Sequence, residues 1–151
     1  KAFELYKSFD TDKALDDIAT SLRWLRENEN TSGKTAVLGY CLGGLLAFMS
    51  GCQLDIDAAI GYYGVGIEKN LQHKNMIRKP LMLHFAENDG FVPEETRKEL
   101  EKSFSDNDLV SIYNYSGCDH GFARTGGNNY DRGAAEISDT RTLTLLKKSL
   151  L

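Results

Sequence analysis

The segment Gly39-Tyr40-Cys41-Leu42-Gly43-Gly44 follows directly on the apolar run Thr35-Ala36-Val37-Leu38. An apolar run of this length reads as a buried strand, and the residues from Leu42 to Ser50 read as a helix. The chain must therefore pass from strand to helix within one tight turn, with Cys41 at its apex. Glycine on both sides of the apex suits such a turn, because a Cβ at either position is expected to collide with the neighbouring strand or helix. The turn should hold Cys41 in a strained conformation and lift its thiol above the sheet. A thiol at a helix N-terminus has its pKa lowered by the macrodipole. The N–H of Leu42 should point at any oxyanion formed on a bound carbonyl.

The rest of the chain alternates in the same way. Leu15, Ile18, Ala19, Leu22 and Leu25 form one apolar stripe and predict a helix over 12–29. Residues 30–34 are a polar turn containing Gly33. Runs at 57–63, 81–86 and 109–115 read as further strands, and Pro93 opens a helix over 94–104. Residues 68–79 are polar and read as irregular, and 116–131 form a long loop rich in Gly and Asn. A closing helix over 133–150 carries Ala134, Ile137, Leu143, Leu146 and Leu150 as its apolar residues. Strands alternating with helices predict an α/β fold with a doubly wound, mainly parallel sheet. Four strands are few for that architecture. With no repeat and no linker, residues 1–151 read as one domain.

Composition removes several function classes. The net charge is −4 and the basic residues are scattered, so nothing points to nucleic acid. No apolar run approaches the ~18 residues of a membrane span. The three cysteines, Cys41, Cys52 and Cys118, are too few and too odd in number for a disulfide framework. A reducing compartment, the cytoplasm, is the expectation, and it would keep a nucleophilic thiol reduced.

A thiol attacks carbonyls only as thiolate, so Cys41 needs a base. His84 lies inside an apolar strand and reads as a core residue; His73 lies in a polar stretch and reads as solvated. His120, in Gly117-Cys118-Asp119-His120-Gly121-Phe122, stands in a glycine-flanked loop past the fourth strand and is the candidate base. Glu87, Asp89 and Asp119 compete as its acid partner. Glu87 and Asp89 emerge at the C-terminal end of the third strand, the edge where ligands bind in open α/β sheets. Asp89, before Gly90, is preferred, with Glu87 second; a turn-forming Asp-Gly is the plain alternative. Asp119 is adjacent to His120, and neighbouring loop residues rarely face each other. Cys118 and His120 lack the further ligands a zinc site needs. Arg124 could pair with a substrate carboxylate or stand solvated on the surface.

Four blocks together resemble the dienelactone hydrolases (carboxymethylenebutenolidases), a family of the α/β-hydrolase type. They are Gly39-Tyr40-Cys41-Leu42-Gly43-Gly44, Gly61-Tyr62-Tyr63-Gly64-Val65-Gly66, Asp89-Gly90-Phe91-Val92-Pro93 and His120-Gly121-Phe122-Ala123-Arg124. The resemblance implies a Cys41, His120, Asp89 triad, in the chain order nucleophile, acid, histidine. It implies hydrolysis of an enol-lactone or ester through an acyl-thioester, with Leu42 as oxyanion donor and no cofactor or metal. It also implies a small carboxylated substrate held by Arg124, in a pocket lined by Phe3, Tyr6, Tyr63 and Phe91. Phe3 and Tyr6 differ in type from the family's aromatics, and Gly121 replaces a small hydroxyl residue. Family members carry a further stretch ahead of the position of Lys1, which supplies the first strands, a second arginine, a glutamate and a second oxyanion N–H. The expectation is therefore an N-terminally truncated fragment whose sheet another segment completes, or which self-associates. The second functional reading is a catalytically incomplete binding domain for a small carboxylate. A thiol redox sensor pairing Cys41 with Cys118 is a third.

Overall fold

Asp10 opens the first helix: its Oδ1 accepts from the Lys13 N–H at 3.0 Å, and α1 runs Thr11–Glu27. The computed structural model describes residues 8–151, so the expectations for Phe3 and Tyr6 lie outside the described residues. Leu15 and Leu22 of α1 are buried, with Ile18 packed between turns of the same face. There follow β1 (Ala36–Tyr40), α2 (Leu42–Gln53), β2 (Ala58–Tyr62), β3 (Leu81–Ala86), α3 (Glu94–Phe104), β4 (Val110–Tyr115) and α4 (Arg132–Leu150). The four strands lie in the order β1-β2-β3-β4 and all pairs are parallel. The register sets Tyr40 beside Tyr62 and Tyr62 beside His84, so the C-terminal ends of the strands share one edge.

β2 and β3 are buried along their whole length, as inner strands of a parallel sheet must be. Side chains alternate between two cores. On one face Phe48 of α2 and Leu100 and Phe104 of α3 join the α1 leucines over Leu81, Leu83 and Phe85. On the other, α4 and Phe122 cover Ile60, Tyr62 and Met82. Helices on both faces make the sheet doubly wound, of the α/β-hydrolase type. No helix among the described residues is long and apolar enough to cross a membrane.

Two elements depart from expectation. Residues 67–76 form a 3₁₀ helix, Ile67–Met76, rather than irregular chain. Gly66, at φ +89°, turns the chain into it, while fully buried Ile67 and partly buried Leu71 anchor it to the core. Lys74 Nζ adds a tether, donating to the Ser103 carbonyl at 3.0 Å. In α4 the buried residues are Ala134, Ala135, Ser138 and Thr142, while Ile137 and Leu143 are more than half exposed. The sheet beneath α4 sets polar groups among its apolar ones: the Tyr62 hydroxyl lies 2.8 Å from Thr142 Oγ1, which lies 3.2 Å from His84 Nε2. His84 Nδ1 meets the Tyr115 hydroxyl at 2.8 Å. Burial, with Arg141 nearby, pushes His84 down to about 3, so it is a neutral core residue, as the sequence reading has it.

Candidate active site

The strand-to-helix turn is built by backbone contact. Cys41 has φ +56° and ψ −117°; with Tyr63 it is one of two non-glycine residues at positive φ among those described. This is a strained backbone of the kind concentrated at functional sites. The Cys41 N–H donates to the Tyr62 carbonyl at 3.0 Å, and its carbonyl accepts from the Gly44 N–H at 2.9 Å. One residue thus ends the β1–β2 ladder and starts α2. A Cβ on Gly39 would stand 1.9 Å from the Gly43 carbonyl oxygen, and one on Gly44 would stand 2.7 Å from the Gly64 Cα. The expected collision at Gly43 itself is corrected: a Cβ there meets nothing within 4 Å. The crowding is at Gly39 and Gly44, where main chain packs on main chain.

His120 and Asp89 close on the thiol from the next strand ends. The Asp89 carboxylate lies past β3 and is only 2% exposed. Its Oδ2 is 2.8 Å from His120 Nδ1, and its Oδ1 accepts from the Phe91 N–H at 2.8 Å. With Nδ1 engaged, Nε2 is the ring nitrogen left for Cys41. The imidazole sits between Tyr63 and Phe91, each with its ring centre 4.9 Å away. Burial disfavours protonation of the ring, but hydrogen bonds to Asp89 and Cys41 outweigh it, and His120 is pushed up to about 9. The hydrogen bond with His120 holds the Cys41 thiol below its usual range, against burial; the Leu42 N–H acts in the same direction. Such a set can hold a thiolate beside an imidazolium and return that proton to a leaving oxygen.

The other carboxylates go elsewhere. Glu87 Oε2 accepts from Ser116 Oγ at 2.8 Å and from the Gly117 N–H at 2.7 Å. Asp119 Oδ1 accepts from the backbone N–H of His120 at 2.6 Å, not from the ring. Of the three candidates only Asp89 meets the imidazole.

A cavity of about 660 Å³ opens over this set, lined in part by Cys41, His120, Tyr63 and Arg124. Phe91 is not in its lining; 67% exposed, it stands at the outer side of His120. Tyr40, Asn128 and Asn129 also line the cavity and were missed by sequence reasoning. Tyr40 is the last residue of β1, directly before Cys41, and no local pattern marks it as a lining residue. Asn129 lies in the loop read only as rich in Gly and Asn, and its Nδ2 donates to the His120 carbonyl at 2.8 Å.

Known proteins share this arrangement of sequence. The profile of the Dienelactone hydrolase family matches residues 1–150. Carboxymethylenebutenolidase 1 of Cupriavidus pinatubonensis is 38% identical over 146 residues, 97% of this chain and 62% of the relative. The carboxymethylenebutenolidase of Pseudomonas putida is 35% identical over the same shares. The chain thus spans 62% of the length of these relatives. The esterase Pf2001 of Pyrococcus furiosus shares the fold, with a TM-score of 0.74 at 19% identity over 93% of this chain and 63% of that one. A family profile over nearly every residue, and relatives above the level at which homology is secure, lead to one conclusion: the chain belongs to the dienelactone hydrolase family.

Proposed function

We propose that the protein is a cysteine hydrolase that opens a small carboxylated enol-lactone, or cleaves an ester, through an acyl-thioester. One observation carries the reading: Cys41, Asp89 and His120 come from three separate strand ends and meet, with Asp89 Oδ2 2.8 Å from His120 Nδ1. The names of the relatives, two carboxymethylenebutenolidases, support the substrate class. In this mechanism the Cys41 sulfur attacks the carbonyl carbon and the carbonyl π pair moves to oxygen. The Leu42 N–H donates to that oxyanion. Collapse breaks the ring C–O bond, and the leaving enolate oxygen takes its proton from the His120 imidazolium. Neutral His120 then deprotonates a water, which attacks the thioester and expels the Cys41 thiolate. Asp89 holds the imidazole tautomer throughout. Arg124 pairs with the substrate carboxylate across the cavity. No step draws on a metal or cofactor.

The outer edge of β1 has no partner strand among the described residues, and Leu38 and Tyr40 beside it are 39% and 46% exposed. We read that edge as the seat of further sheet, from the same polypeptide or from a second copy, since open apolar edges invite pairing. The three cysteines are free, and a cytoplasmic setting would keep Cys41 reduced.

The test is turnover of an activated aryl ester by the protein and by Cys41→Ala. Loss of at least about 10³-fold is expected. Hydrolysis unchanged in the variant sinks the assignment. A Cys41 inert to thiol reagents at neutral pH would favour the carboxylate-binding reading instead.

A further inference from the structure

We propose that Glu87 is a positioning residue, clasping the loop that carries His120 to the strand end that carries Asp89. This rests on the reading of Cys41, His120 and Asp89 as the reacting set. Past the ends of β3 and β4 the two chains stay zipped by backbone bonds. The Glu87 N–H donates to the Tyr115 carbonyl at 3.0 Å, and the Asn88 N–H to the Cys118 carbonyl at 2.8 Å. Between those two bonds lie Ser116 and Gly117. Gly117 has φ +73°, and a Cβ there would meet nothing within 4 Å, so this is a loosely packed point of the loop. Glu87 grips that point with one oxygen, which accepts from both the Ser116 hydroxyl and the Gly117 N–H.

The rest of the framework is already pinned. Asn129 holds the His120 carbonyl on the far side. Tyr63 and Phe91 flank the ring. Arg97 Nη1 donates to the Val92 carbonyl at 2.9 Å and steadies the acid loop from below. What remains is the approach of the loop to His120, three residues beyond Gly117. Small errors there matter, because support around a reacting set must hold it within about 0.5 Å. Glu87 is solvent-exposed, so its removal should disturb geometry more than stability. The sequence reading weighed Glu87 as the acid; the geometry points to it as the holder of the base.

The experiment compares the parent chain with Glu87→Ala, Glu87→Gln and Ser116→Ala. It follows the His120 imidazole titration by NMR, the pH profile of Cys41 alkylation by iodoacetamide, and the melting temperature. In Glu87→Ala the alkylation rate near neutral pH should fall about fivefold, the worth of one ordinary hydrogen bond. The His120 titration should move down toward that of a free histidine. Glu87→Gln should restore most of both, because its amide oxygen can still accept from Gly117. Ser116→Ala should lose less than Glu87→Ala. An unmoved His120 titration in Glu87→Ala overturns the clasp. So does Glu87→Gln failing as fully as Glu87→Ala, which would make the effect one of charge. The titration needs no reactive thiol: an inert Cys41 in the parent chain would defeat the hydrolase reading, while the His120 shift would still decide the clasp.

Discussion

Two histidines hang from this sheet, and they are driven in opposite directions. His84 is wholly buried between Tyr115 and Thr142, neutral hydroxyls on both ring nitrogens, and is pushed down to about 3. His120 has a side chain 17% exposed, meets the Asp89 carboxylate and the Cys41 thiol, and is pushed up to about 9. Burial acts in the same sense on both rings, against the charged form. What separates them is first a carboxylate at 2.8 Å from His120, with the Cys41 thiol acting in the same direction. Hydroxyl partners satisfy a buried imidazole without compensating its charge, so it stays a structural group; a buried acid converts the same ring into a proton store.

The sharpest way to break the contrast is to remove that acid. Asp89→Asn should bring the proton affinity of His120 down toward that of His84. Turnover of an activated ester should fall by roughly 10²–10⁴-fold, the scale of acid–base contributions. A drop below tenfold would mean that Asp89 does not govern the ring.

The second test uses stability against pH. His84 titrates lower in the folded chain, near 3, than the ~6.5 of a free histidine, so the unfolded chain takes up a proton that the native one refuses. Its contribution is whole above about 6.5 and is lost as pH falls toward 3, by up to about 1.4 kcal/mol per unit. His120 runs the other way: its contribution is present below about 6.5 and is lost as pH rises through about 9. Denaturant unfolding across this range should show a shallower acid slope in His84→Gln and a shallower alkaline slope in His120→Gln. Equal slopes in parent and variants would remove the contrast.

The smallest effect is expected at Asp119. Among the described residues its carboxylate accepts only a backbone N–H, a task that asparagine can also perform. Asp119→Asn should change ester turnover by less than about twofold. A larger loss would show that proximity in sequence counts for more than contact with the ring.

Much of this was legible in the sequence. Periodicity placed the strands and helices, because each segment must bury one face. Asp89 and His120 could be singled out because each stands just past a strand end in a parallel sheet, while their grouping with Cys41 was what the family resemblance implied. The face of α4 was only partly legible. Its partners include the hydroxyl and imidazole groups of Tyr62 and His84, so Ser138 and Thr142 join Ala134 and Ala135 in the buried stripe; Ala134 and Leu146 face the core as read, but Ile137 and Leu143 do not. The 3₁₀ segment escaped because its core contacts come from Ile67 and Leu71, two apolar residues in an otherwise polar run. Asn129 escaped because its role lies in a bond to a backbone carbonyl nine residues away, which no local pattern encodes. Gly43 was over-read: the crowding belongs to Gly39, whose missing Cβ makes room for the Gly43 main chain.

That crowding has a consequence for how the site can change. Gly39 meets Gly43, and Gly44 meets Gly64, as bare main chain, and the apex between β1 and α2 is held by peptide groups rather than by any side chain. Seat and reagent are therefore separate parts. The seat tolerates almost no variation at its glycines, while the atom at the apex, the sulfur of Cys41, bears none of the framework's weight. An oxygen could be exchanged for that sulfur with the mounting undisturbed, so the apex atom can change while the turn that carries it stands still.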